Sequence, residues 1–460
     1  MAVVIRRLFQ STVQYNRLWH RYYGSALYVT GDKAKEMFTV LSPHIDIEER
    51  FRDTSTLKQN IELRGMQINV DNIKQIWEML KSIENDKKKI ESQRIKIANK
   101  MKELRKTSTD INEDVENLKL VGKLLRDDLK TTMKAIWELE KKVISKVLSL
   151  PNDLHPDTPN KEAKVISQFE SECNSKQTES HVEIGKKLDV LEYNDPMCYF
   201  LKGDAAIFEL SVLNFFTEKL CTGNSNFIKC CNSDFTRSVV VEGCGLNHED
   251  PNATFILKDI GDILDTNDVN RLHLTGGASL PSFCAFHAKQ IIPVSAFPLR
   301  LVATGRQYSP NIYQLDKQNS GLFDVCQASC VEIFISTTDQ REMADEFGRV
   351  IEAVTSIYKE LSFPFRVVYL PANQLKSYES LKASFQMYSS HLQTFMEVGH
   401  ISLCDDYISK RLLIQYGTDT EHKFPFIVSG TVISVPKLLG CVLEVFGTIP
   451  MPKLGTVNMF

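Results

Sequence analysis

Between Asn69 and Ser149 the apolar positions follow a helical period. Ile76, Ile83, Ile90 and Ile97 are followed by Leu104, and Ile73, Leu80 and Met101 supply the interleaved positions of a heptad seam. Only Lys87 and Arg94 interrupt it. After "KTSTDINED", in which Asp110 is a candidate helix cap, the period resumes through Leu118, Val121, Leu125, Leu129, Ile136, Leu139, Val143 and Val147. The pattern predicts two long helices folded back on one another as an antiparallel coiled coil. Pro151, within "SLPNDLHPDTPN", ends the second helix and opens a linker.

The remainder reads as a compact mixed domain of helices and strands. "RSVVVEG", "FPFRVVYL", "RLLIQY" and "FPFIVSGTVI" have the β-branched and aromatic content of strands. "GDAAIFELSVLNFFTEKL" and "REMADEFGRVIEAVTSIYKEL" are periodic in the helical sense. The resulting segments are 1–31, a basic leader; 32–148, a helical arm domain; 149–180, a linker; and 181–460, the mixed α+β domain.

Composition adds limits rather than direction. The 460 residues are 43% hydrophobic and 25% charged, which excludes intrinsic disorder, and the formal net charge of -3 leaves any basic surface to be found segment by segment. Eleven cysteines show no paired spacing of the zinc or disulfide kind, and no glycine-rich phosphate loop is present. The scattered histidines, His287 and His400 among them, read as packing or surface residues. Asp405 and Asp406 read equally as a solvated turn, so no metal and no cofactor is expected. Arg6, Arg7, Arg17 and Arg21 all precede the first acid, Asp32. That is the composition of a mitochondrial transit segment, and "MAVVIRRLF" is too short and too charged for a membrane span. A solvated basic tail is the alternative.

The first arm helix carries an uneven charge. Lys87, Lys88, Lys89, Arg94, Lys96, Lys100, Lys102, Arg105 and Lys106 outnumber Asp86, Glu91 and Glu103. Such a stripe fits phosphates, giving salt-dependent RNA affinity without base specificity. It equally fits the solvated flank of a coiled coil.

The order of segments carries a resemblance. The basic helical arm, "LPNDLHPDTP", "HVEIGKKLDVLEYND" and "YFLKGDAAIFEL", followed by a mixed sheet domain, resemble a seryl-tRNA synthetase over nearly the whole chain. The family implies a class II antiparallel-sheet domain that makes seryl-adenylate, and an N-terminal arm that grips tRNA-Ser.

The resemblance fails where the family places its chemistry. Matching "RLVATGRQYSPNI" to the second signature puts Ser309 and Asn311 where the family has an ATP-binding arginine and glutamate. A hydroxyl cannot replace a guanidinium against developing negative charge. "GLFDVCQASCVEIF" keeps Gly321, Leu322, Val325 and Glu332 but has Asp324 at an arginine position. In the serine-recognition loop, Gly277 of "LHLTGGASL" stands at the glutamate. "EVGHISLCDDYISKRLLIQY" keeps Glu397, Cys404, Asp406 and Arg411, with Leu403 in place of asparagine. Lys437 stands at the arginine of the third signature, in "SGTVISVPKLLGCVLEVF". The first signature lacks its proline, and Asn232 lies nearest.

These departures together imply a non-catalytic synthetase-like protein, nearest to the degenerate seryl-tRNA synthetase-like proteins of insect mitochondria. The implied role is RNA binding in the mitochondrial matrix, with tRNA-Ser as a candidate RNA, and support of the active mitochondrial seryl-tRNA synthetase as a heterodimer subunit. The alternatives are a homodimer, an interaction protein that touches no RNA, and a divergent serine-activating ligase.

Overall fold

A computed structural model of the chain describes residues 25–28, 41–107, 113–170, 179–222, 225–257, 271–310, 320–418 and 421–450. Two long helices, α1 (Val70–Thr107) and α2 (Glu113–Leu148), pack along one another. Lys146 in the last turn of α2 donates to Asn72 in the first turn of α1, so the two run in opposite directions. The seam is as the heptads predict over most of α1. Ile73 and Leu80 are buried, Ile76, Ile83, Ile90, Ile97, Met101 and Leu104 are half-buried, and Arg94 is exposed. In α2 the stripe drifts, because 3.6 residues per turn does not keep step with a seven-residue repeat. Val121 is exposed, while Gly122 beside it is half-buried. Asp110 lies outside the described residues.

The base of the helical pair has its own core of Phe51, Leu57, Ile61, Val70, Ile73, Val143, Val147 and Leu150. It is riveted to the rest of the protein by arginines. The buried Arg64 guanidinium donates to the carbonyl oxygens of Asn152, Lys376 and Glu379. Arg411 stacks on the Tyr407 ring at 3.3 Å and donates to the carbonyls of Leu148 and Leu150. The fork of a guanidinium satisfies several carbonyls at once, which fixes the direction in which the helices leave the body.

The body is built on one sheet of eight strands. In chain order these are β1 (Lys164–Phe169), β2 (Ile228–Cys230), β3 (Leu299–Tyr308), β4 (Gln327–Thr337), β5 (Phe365–Tyr369), β6 (Leu381–Ser389), β7 (Thr394–Asp405) and β8 (Phe426–Ser434). Their order in the sheet is β1-β5-β6-β7-β8-β4-β3-β2. Every pairing is antiparallel except that of β2 with β3. Helices α3 (Gly203–Cys221), α4 (Gln340–Glu360) and α5 (Val435–Phe446) pack on it. Their Phe208, Phe216, Phe347, Val354, Leu439 and Val442 join the strands' Ile333, Phe385 and Ile401 in one core.

Two expected strands are corrected. "RSVVVEG" forms a helix at Ser238–Gly243. Its three valines are all buried, so packing on every side overrides their β preference. Gly243 lies so close to Leu412 that a Cβ would stand 2.3 Å from that side chain. "RLLIQY" is split: a helix at Tyr407–Leu412 ends on Leu413 in the left-handed conformation, and a strand begins only at Gln415. "FPFRVVYL" and "FPFIVSGTVI" correspond to β5 and β8, and the two periodic segments to α3 and α4, each within a residue or two at the ends. The stretch read as a linker lies against the body, with Asn152 donating to the carbonyls of Tyr378 and Cys404, and it supplies edge strand β1. Among the described residues no helix is long and apolar enough to cross a membrane.

Candidate functional site

A cavity of about 550 Å³ opens over β3, β4, β7 and β8. Strand alternation decides what faces it. On β3, Gln307 points inward and its amide nitrogen donates to Glu332 at 3.0 Å and Thr431 at 2.8 Å. Its neighbour Arg306 points to the opposite face, where its guanidinium lies 3.4 Å from Glu209 of α3. Ser329, directly across from Arg306 in the register, donates to the same carboxylate at 2.8 Å. Ser309 follows the last residue of β3 and lines the cavity, its N–H bonded to the carbonyl of Cys326 at 2.9 Å. Asn311 lies outside the described residues. Among the described residues, no arginine lines the cavity.

Glu332 on β4 is buried and accepts hydrogen bonds from Gln307, Ser429 and Thr431. Burial outweighs those bonds and pushes its carboxyl up to about 7. In the unfolded chain the group titrates near the ordinary glutamate value, so the fold binds this proton more tightly. Stability from Glu332 is therefore complete below about pH 4.5 and is lost as the pH rises through about 7. Glu332→Gln is expected to remove that dependence. Its amide oxygen can take the bonds from Gln307 and Thr431, and its NH2 can donate to Ser429. Urea denaturation should show the variant more stable than the parent by about 2–3 kcal/mol at pH 8, with the difference shrinking towards pH 5.

A second polar group joins β6 to β7. Lys382 lies 3.0 Å from Glu397, His400 Nδ1 lies 3.3 Å from the same oxygen, and Ser384 donates to the other at 2.8 Å. Burial opposes the charge on Glu397, but Lys382, ahead of His400, overcomes it and holds the carboxyl well below its usual range. Lys437, in the first turn of α5, adds to this effect and lines the cavity, half-buried. Sequence reasoning missed Lys382. The signal is the alternation of Lys382, Ser384 and Gln386 with Leu381, Ala383 and Phe385, which marks a strand with one polar face.

The other expected positions divide. Asp324 ends a tight helical turn at Gly321–Asp324, lines the cavity, and with burial helps to push the Cys326 thiol up. Leu403 on β7 is a core residue, 1% exposed, opposite Leu381 and Val428. Gly277 is enclosed by the chain itself. Its N–H donates to Asp234 at 2.7 Å, its carbonyl accepts from Asn232 at 3.1 Å, and a Cβ would stand 2.8 Å from the Asn232 carbonyl oxygen. A side chain at 277 would require this backbone to move.

On the helical arm, Lys88, Lys89, Arg94, Lys96, Lys100 and Lys102 are exposed, with Lys89 paired to Asp86 at 2.8 Å. Lys87 differs: it occupies a seam position, is half-buried, and lies 3.9 Å from Glu91. The side chains of Arg105 and Lys106 lie outside the described residues.

Comparison with known proteins matches this architecture. A family model of the tRNA synthetase class II core domain (G, H, P, S and T) matches residues 267–446. The chain is 30% identical over 424 residues to the serine–tRNA synthetase-like protein Slimp of Drosophila melanogaster, covering 91% of this chain and 88% of that one. It is 26% identical to the mitochondrial serine–tRNA ligase of Mus musculus, over 90% and 81% of the two chains. The crystal structure of seryl-tRNA synthetase from Pyrococcus horikoshii complexed with ATP superposes with a TM-score of 0.77 at 20% identity, over 89% of this chain and 97% of that one. A shared antiparallel core and near-complete alignment with Slimp establish that this chain belongs to the seryl-tRNA synthetase family, in the group of synthetase-like members.

Proposed function

We propose that this chain is a non-catalytic member of its family, which binds RNA through its helical arm and supports an active mitochondrial seryl-tRNA synthetase as a heterodimer subunit. The observation that carries the reading is the direction of Arg306. The guanidinium on the second-signature strand is engaged with Glu209 across the sheet, and Gln307 and Ser309 face the cavity in its stead. Asp324 adds negative charge to the rim, and Gly277 offers no carboxylate to an ammonium group. Adenylate formation needs positive charge fixed against phosphate oxygens as charge develops. Three lysines, Lys376, Lys382 and Lys437, line the cavity. Lys382 is committed to Glu397, and a lysine lacks the planar fork that holds a phosphate in one orientation.

The surface supports a docking role. Phe200, Ile207 and Leu210 are each about half exposed or more, on the hairpin strand Cys198–Leu201 and the following α3. Ile207 and Leu210 stand three residues apart on one helix, and an exposed apolar face of that kind suits a contact surface. The mitochondrial reading draws on the arginine-rich leader and on the mitochondrial relatives. Native mass spectrometry of the processed chain co-expressed with the mitochondrial seryl-tRNA synthetase of the same organism tests the assembly. A one-to-one complex that takes up tRNA-Ser is expected, and recovery of separate homodimers would overturn the heterodimer.

A further inference from the structure

Ser25, Ala26 and Leu27 lie inside the protein, at 6%, 1% and 1% exposure. Ala26 and Leu27 belong to the core cluster that contains Leu41, Leu148, Val239 and Val240. One carboxylate oxygen organises them. Oε2 of Glu242 accepts the N–H of Ala26 at 2.6 Å, the N–H of Leu27 at 2.8 Å and the Ser25 hydroxyl at 3.1 Å. Tyr28 then donates its phenol to Glu140 of α2 at 3.1 Å. The segment is therefore a strap between the second arm helix and the helix Ser238–Gly243.

Glu242 explains why the strap cannot be discarded. The Glu242 side chain is only 15% exposed, and its further neighbour His248 stands 3.9 Å away. Removal of Ser25–Leu27 would take three donors from one largely enclosed acceptor and open two core positions at once. A leader ending at the first acid, Asp32, would do that. The basic part of the leader ends earlier: Arg21 is its last arginine, and no further lysine or arginine occurs before Lys33.

We infer that maturation cuts the chain between Arg21 and Ser25, and that Ser25–Tyr28 stay on as a structural strap held by Glu242. The cut rests on the mitochondrial reading; the strap does not. The test is to recover C-terminally tagged full-length chain from purified mitochondria and identify its N-terminal peptide by mass spectrometry. A first residue from Tyr22 to Ser25 is expected. A matrix protein that is uncut, or begins outside that window, overturns the inference and leaves import intact. Full-length chain found only outside mitochondria overturns import and the cut with it.

The strap is then judged on purified protein. A chain begun at Ser25 should melt with the full-length chain, and one begun at Asp32 should melt several degrees lower; equal melting overturns the strap. Should the shorter chain not fold, hydrogen exchange on the Ser25 chain decides. Protected amides at Ala26 and Leu27 support the strap, and freely exchanging ones overturn it.

Discussion

His181→Ala is expected to cost the fold about 3–5 kcal/mol, read as a lower urea midpoint at unchanged slope. His181 is fully buried and bridges two elements. Its Nε2 accepts the N–H of Leu322 at 2.8 Å. Nδ1 must then carry the proton, and it donates to Glu444 of α5 at 2.6 Å. Burial works against the charge on Glu444, and the bonds from His181 and Ser389 hold its carboxyl below the usual range. Alanine would leave a buried carboxylate short of its main donor and open a void beside Phe323, whose ring meets the imidazole edge-on at 4.4 Å. The imidazole also packs tightly on the neighbouring Gly321, which has a positive φ and where a Cβ would stand 2.3 Å from Nε2. The histidine of "HVEIGKK" thus sets the turn that carries Asp324 to the cavity rim.

Charge reversal along the arm should have a comparable effect on a different quantity. Glutamate at Lys88, Lys89, Arg94 and Lys96 together is expected to lower RNA affinity on the order of 1,000-fold at 50 mM salt, with a smaller loss at 200 mM. All four side chains are exposed, Arg94 at the break in the seam included, and their replacement leaves the half-buried seam residues in place. The melting temperature should therefore stay near that of the parent. Filter binding at several salt concentrations reads the result, since the slope of log affinity against log salt becomes shallower with each phosphate the arm no longer neutralises. Lys87→Glu alone should change little, because Lys87 lies in the seam beside Glu91. Unchanged affinity in the fourfold variant would favour an interaction protein that touches no RNA.

Helical periodicity is the most legible part of the sequence. The α1 seam repeats from Ile73 to Leu104, broken by an exposed residue only at Arg94, because one face of a long helix repeats a single constraint many times. Short elements are harder to read. Three consecutive valines suggest a strand, and only the packing around Ser238–Gly243 makes them a helix. At the site, residue identity is legible and direction is not. Arg306 and Gln307 are adjacent in the chain, yet one faces Glu209 and the other the cavity, which depends on the phase of β3. Gly277 shows in the sequence as a missing carboxylate, but its enclosure by Asn232 and Asp234 depends on contacts more than forty residues away. Leu403 likewise reads as a lost polar group and proves to be part of the core.

Serine-dependent exchange of labelled pyrophosphate into ATP tests the central claim most directly, because it reports adenylate formation without requiring tRNA. The purified chain is expected to give exchange equal to that without serine, while an active seryl-tRNA synthetase run in parallel gives a robust signal. Serine-dependent exchange by this chain, abolished by Lys437→Ala, would contradict the account and make the protein a ligase.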